Sequence, residues 1–160
     1  MNQTATYVNI MQESLVRKKD YLTEIWKLTK EQETIATAKK FDEEAFGATI
    51  DRKEILINNV NEIDKGFTAL YDKVRGEVLK NKRYYSQELQ AMQELIKECV
   101  DLGMRIEVQE ERNRAALEQA FSVGFKGVKH AKQSKKAASQ YYKSMSNGNV
   151  NDSMLYDRKK

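Results

Sequence analysis

Two residues with reactive side chains occur once each in this chain, His130 and Cys99. A thiol and an imidazole are the parts of a cysteine nucleophile, or the start of a zinc site. One of each cannot assemble a zinc site of ordinary Cys/His composition within a single chain. Cys99 follows an apolar stripe with Val100 and Leu102 close by, which is the setting of a small buried hydrophobe, not an activated thiol. His130 stands among lysines and is expected at the surface. The glycines Gly124 and Gly127 frame Phe125 and Lys126, but they match neither phosphate-binding loop pattern. Carboxylates are frequent, yet Glu31 and Glu33, Glu43 and Glu44, and Glu110 and Glu111 sit among lysines and read as solvated helix faces. The Glu-x-x-His step of a di-metal carboxylate bundle is absent from the sequence. This inventory points away from catalysis and calls for no cofactor or metal.

The lysines carry more information. From Ser122 to Lys160 the chain holds nine Lys/Arg and two acids, a net charge of +7, so residues 1–121 carry −3 of the +4 total. Within this basic stretch Phe121, Phe125, Val128, Ala131, Ala138, Tyr142 and Met145 fall at helical steps of three, four and seven. Three kinds of partner fit such a tail. Lysines with neighbouring tyrosines track phosphates and stack on bases, although no DNA-reading motif is present and the rest of the chain is acidic. Aromatics with lysines also suit an anionic membrane surface, but this apolar face is short and broken by glycine. Apolar anchors at helical spacing suit a protein partner in a helix-in-groove mode. The protein-binding reading is preferred, with nucleic acid as a minority alternative.

The elements that position these residues are helices. The chain has 160 residues and no proline, and mean hydropathy is −0.76, which suits long helices that each bury one stripe. A first helix is expected from near Thr4 to about Thr37. Its seam runs through Val8, Met11, Leu15, Leu22, Ile25 and Ala36, with Lys18, Thr29 and Gln32 in the same register. A break follows at residues 39–41, and Asp42 is placed to cap the next helix, with Glu43 and Glu44 in its first turn. The second helix carries Phe46, Ile50, Ile57, Val60, Ile63, Phe67, Leu70 and Val74, and either ends at Gly76 or continues into Glu77–Lys82. A third helix, capped by Ser86, places Leu89, Met92, Ile96, Cys99, Gly103, Ile106, Glu110, Asn113, Leu117 and Ala120 in heptad register. Glu110 and Asn113 are polar there, and the seam is expected to reach the bundle surface at that level, with a buried asparagine that fixes register as the less favoured alternative.

The expected fold is all-α. Residues 1–121 form an antiparallel three-helix bundle with long, coiled-coil-like helices. Residues 122–160 form a flexible, basic, weakly amphipathic tail, partly disordered. Neither a secretory leader nor a bilayer-spanning stretch is recognisable, and one cysteine fits a reducing compartment, so a cytoplasmic location is expected.

This arrangement resembles the FlgN family of flagellar export chaperones. Three features carry the resemblance. A long opening helix from Val8 to Ala36 is followed by a break and the acidic restart Phe41-Asp42-Glu43-Glu44-Ala45. The run Ile50-Asp51-Arg52-Lys53-Glu54-Ile55-Leu56-Ile57 then leads to Asn61-Glu62-Ile63-Asp64. A long last helix with Ile106-Glu107-Val108-Gln109-Glu110-Glu111-Arg112-Asn113 and Leu117 precedes a tail holding Tyr141-Tyr142-Lys143-Ser144-Met145 and ending Asp157-Arg158-Lys159-Lys160. The resemblance implies a non-enzymatic cytoplasmic chaperone. Its partners would be hook–filament junction subunits and the flagellar export apparatus. Because the C-terminal part takes a large share of client binding in that family, the resemblance points to Leu117, Phe121, Phe125, Val128, Tyr141, Tyr142 and Met145. The alternatives that stay open are a helical scaffold for nucleic acid or an anionic surface, and a structural coiled-coil oligomer.

Overall fold

A computed structural model describes residues 2–122. They form three helices, α1 (Gln3–Ala36), α2 (Glu43–Lys80) and α3 (Ser86–Ser122). Each start has a local cause. Asn2 caps α1, its Oδ1 accepting from the Ala5 amide at 2.7 Å, and Asp42 caps α2 in the same way from Ala45 at 3.0 Å. Glu43 and Glu44 place negative charge in the first turn of α2, where the helix dipole favours it. The α1 end is closed by Thr37, whose amide and hydroxyl both donate to the Glu33 carbonyl.

Of two boundaries, the end of α2 takes the longer of its expected courses and the start of α3 differs from expectation. Gly76 does not terminate α2, which runs on to Lys80, with Asn81 as its C-cap. The extra turn is held by Val78, buried in the same cluster as Val74 and Tyr85, and this burial outweighs the poor helix propensity of glycine. Ser86 is the first residue of α3 and not a cap. The turn before it keeps its own backbone bonds, Tyr85 N–H donating to Asn81 O and Leu89 N–H to Tyr85 O, while the Tyr85 ring is buried beneath.

The core divides into three apolar clusters along the bundle, and their membership gives the topology. Val8, Met11 and Leu15 of α1 meet Phe67, Tyr71, Val74 and Val78 of α2 and Met92 and Ile96 of α3. Midway, Leu22 and Ile25 meet Leu56, Ile57, Val60, Cys99 and Ile106. At the far end, Ala36 and Phe41 meet Phe46, Ile50 and Leu117. Residue numbers rise along α1 and α3 and fall along α2, so α2 is antiparallel to both. α1 is the central helix. Its backbone approaches those of α2 and α3, whereas no Cα of α2 comes within 8 Å of one in α3. The α2–α3 side of the bundle is therefore spanned by side chains.

Candidate functional site

Four polar residues, three of them read on the seams and Lys53 not, are buried between the middle and far clusters. Gln32, Lys53, Glu110 and Asn113 are each no more than 7% exposed. The expectation that Glu110 and Asn113 lie where the seam reaches the surface is thus corrected, and for Asn113 the buried alternative holds. They stay inside because each finds a partner, which removes most of the penalty for taking a polar group out of water. Lys53 of α2 donates to Gln32 Oε1 of α1 at 3.0 Å and forms an ion pair with Glu110 of α3. Gln32 Nε2 donates in turn to Thr49 Oγ1 at 3.0 Å. Asn113 Nδ2 donates to the Thr29 carbonyl of α1 at 2.8 Å. Gln109 Nε2 donates to Asn113 Oδ1 at 2.9 Å and to Glu33 Oε2 at 2.8 Å. One polar layer thereby joins all three helices, and Lys53–Glu110 is a direct link across the α2–α3 side.

The charges in this layer respond to their surroundings. Burial pulls the Lys53 ammonium below the ordinary lysine value, against the opposing pull of the Glu110 charge and hydrogen bond. Glu33, at the outer edge, is held below the ordinary carboxylate value, chiefly by the hydrogen bond from Gln109. A second buried pair, Lys18 with Asp64 at 2.9 Å, lies between the near and middle clusters. Burial raises the Asp64 carboxyl, and Lys18 opposes that rise.

Beyond the polar layer the bundle ends in an aromatic group. The Phe41 ring sits 5.4 Å from Phe46 and 5.9 Å, edge-on, from Phe121, centroid to centroid. Leu117 is buried in the same cluster, while Phe121 is only partly buried at the last turn of α3. Of the residues expected to meet a partner, the structure brings these two together on the α1–α2 turn. Phe125, Val128, Tyr141, Tyr142 and Met145 lie outside the described residues, as does His130. Leu117 is a core side chain here and offers a partner little surface. Phe41, which the expected site omitted, is the residue that connects the end of α3 to the turn. Its signal was present, since an aromatic directly before an N-cap aspartate is well placed to pack on the following helix.

A shallow cleft of about 600 Å³ opens at this turn, lined by Lys40, Phe41, Asp42, Glu43 and Glu44. Its lining brings Lys40 and the largely buried Phe41 together with three acidic residues, of which Asp42 caps α2. Among the described residues no group of three or more His, Cys, Asp or Glu is arranged to hold a metal ion. Cys99 is buried in the middle cluster. None of the described helices is long and apolar enough to cross a membrane. Comparison with protein-family models, with curated proteins and with solved structures finds no match for this chain.

Proposed function

We propose that this protein is a chaperone of the flagellar export type. It binds hook–filament junction subunits in the cytoplasm, shields their terminal helices from premature assembly, and delivers them to the export apparatus. The observation that supports this reading most is the far end of the bundle. There a partly buried Phe121, backed by the buried Phe41 ring, forms an aromatic ledge where a basic chain with apolar residues at helical spacing begins. A client helix would bury its apolar stripe on this ledge and on the stripe from Phe121 to Met145, releasing water from both. Part of that gain is lost to ordering the segments that meet, so moderate affinity is expected.

The test is light scattering behind a sizing column, with the full chain alone and mixed with a hook–filament junction subunit at moderate salt. A discrete complex is expected. Phe121→Ala should weaken it by about 1–2 kcal/mol, or roughly 5- to 30-fold, as removal of an aromatic anchor does. No complex, or a complex indifferent to Phe121, rules out the ledge as the client site.

A further inference from the structure

The end of the bundle that holds the α2–α3 turn is basic, although the bundle as a whole is acidic. Residues 72–86 carry Lys73, Arg75, Lys80, Lys82 and Arg83 against Asp72 and Glu77, a net +3, and since residues 1–121 total −3 the rest of them carry −6. The start of α1 lies at the same end, and its first charged side chain is Glu13. Lys80 to Tyr84 are all exposed, Tyr84 to 70%. Neither Lys80 nor Arg83 forms an ion pair or side-chain hydrogen bond among the described residues. Glu77, the acid nearest the turn, is occupied by Asn81, whose Nδ2 donates to its Oε1 at 3.2 Å. The turn is also held in shape. Tyr85 is buried beneath it, donates its N–H to the Asn81 carbonyl, and meets the Tyr84 ring edge-on at 4.8 Å. One aromatic ring and a set of cations are thus displayed together on a fixed tip.

We propose that this tip docks on a bilayer surface rich in anionic phospholipid, with the bundle standing end-on. Tyr84 seats among the headgroups, where a ring with one polar edge is favoured, and Lys80, Lys82 and Arg83 meet the lipid phosphates. Shape selects this partner. Binding a nucleic-acid strand takes a basic groove with a succession of stacking rings, whereas this tip is convex and displays one ring. A flat anionic surface accepts it. Charge sets the orientation. With 37 residues α3 is about 55 Å long, and the surface field fades over ~10 Å, so end-on docking leaves most of the acidic remainder outside the repulsion. Side-on docking would bring that remainder within it. The tip lies at the opposite end of the bundle from Phe121, so docking leaves the aromatic ledge open. The inference goes beyond the chaperone reading and does not depend on it.

The test uses the full chain with Trp26→Phe, so that a single tryptophan can be placed at the tip by Tyr84→Trp or at the other end by Ser122→Trp. Vesicles of phosphatidylcholine, alone or mixed with phosphatidylserine, carry brominated acyl chains that quench a tryptophan seated at the interface. Quenching and a blue shift are expected for Tyr84→Trp on the anionic vesicles, with little on the neutral ones, and high salt should reverse both. Lys80→Glu with Arg83→Glu should weaken that binding by at least about 25-fold at low salt, since each cation near the surface is worth roughly 5-fold. The thermal unfolding midpoint should stay in place, because both side chains are exposed. Quenching as strong for Ser122→Trp as for Tyr84→Trp overturns the proposal, because the bundle then does not stand on this tip. Quenching that is equal on neutral vesicles, or unmoved by the charge reversal, overturns it too. If a single-stranded oligonucleotide shifts the Tyr84→Trp emission and the vesicles do not, the partner is nucleic acid and the lipid assignment falls. No client enters this experiment, so its failure is distinct from failure of the chaperone reading.

Discussion

Lys18 with Asp64 and Lys53 with Glu110 are both buried ion pairs, but they are set in different surroundings. The first joins α1 to α2, helices whose backbones already pack closely, and its carboxylate keeps 14% exposure. The second joins α2 to α3, whose backbones do not approach, and both side chains are at most 7% exposed. The first is a pair near the rim. The second sits in a layer where Gln32, Thr49, Asn113 and Gln109 take up further hydrogen bonds. Burial cost dominates one member of each pair, pushing Asp64 and Lys53 toward their neutral forms. The comparison teaches that a single ion partner suffices where the carboxylate keeps some contact with water, whereas the pair enclosed on both sides is set among further hydrogen bonds.

The strongest test is removal of one partner from the second pair. Glu110→Ala leaves the Lys53 charge buried, and a loss of about 3–5 kcal/mol in urea unfolding is expected. Asp64→Ala should cost less, about 2–3 kcal/mol, because water can reach the Lys18 head through the more open rim. Equal losses would break the comparison. The double variant Lys53→Met with Glu110→Leu should recover most of the single-variant loss, since two apolar chains replace two charges that had to be desolvated. Asn113→Ala comes next, at roughly 1–3 kcal/mol, because it removes the buried bonds to the Thr29 carbonyl and from Gln109 and leaves a void between the helices.

Titration sharpens the contrast in sign. The folded pKa of Asp64 is raised above 3.8, so the folded state holds the proton more tightly than the unfolded chain. Its contribution therefore falls as pH rises from 3.8 through the raised value. The folded pKa of Lys53 is lowered from 10.5, so between that lowered value and 10.5 the unfolded chain holds more protons and stability rises with pH. Asp64→Asn should flatten the acid side of the stability curve, and Lys53→Met the alkaline side. Glu33 behaves oppositely to Asp64: its lowered pKa stabilises the fold above 4.5, and this is lost as pH falls through the folded value. The smallest effects belong to Gly66 and Gly76, helical positions where an added Cβ meets nothing within 4 Å. Alanine at either should stabilise by roughly 0.5–1 kcal/mol, visible as a small rise in the urea midpoint.

Much of the fold was legible from periodicity. The α1 seam from Val8 to Ala36 is buried as read, including the polar Lys18, Thr29 and Gln32. The Asp42 cap and the break before it also follow from local chemistry. The candidate site was less legible. Leu117 and Phe121 were named, but one is core, and Phe41 was treated as part of a break. Glu110 and Asn113 were read outward because a charge or amide on a seam is more often solvated than paired. The gap between Ile50 and Ile57 in the α2 stripe, occupied by Lys53, was the signal for a partner to Glu110.

The sequence by itself determined the three helices, the Asp42 cap and most of the faces they bury, because these depend on spacing along one chain and on the residues that satisfy exposed amides. Only the tertiary structure decided which polar seam residues meet. Lys53 and Glu110 are 57 residues apart, and nothing local to either names the other. The same holds for the contact of Phe41 with Phe121, which exists because α1 and α3 run parallel and finish at the same end of the bundle. Local rules act over a few residues, whereas the pairing of buried charges and the closing of the aromatic end depend on how the three helices lie side by side.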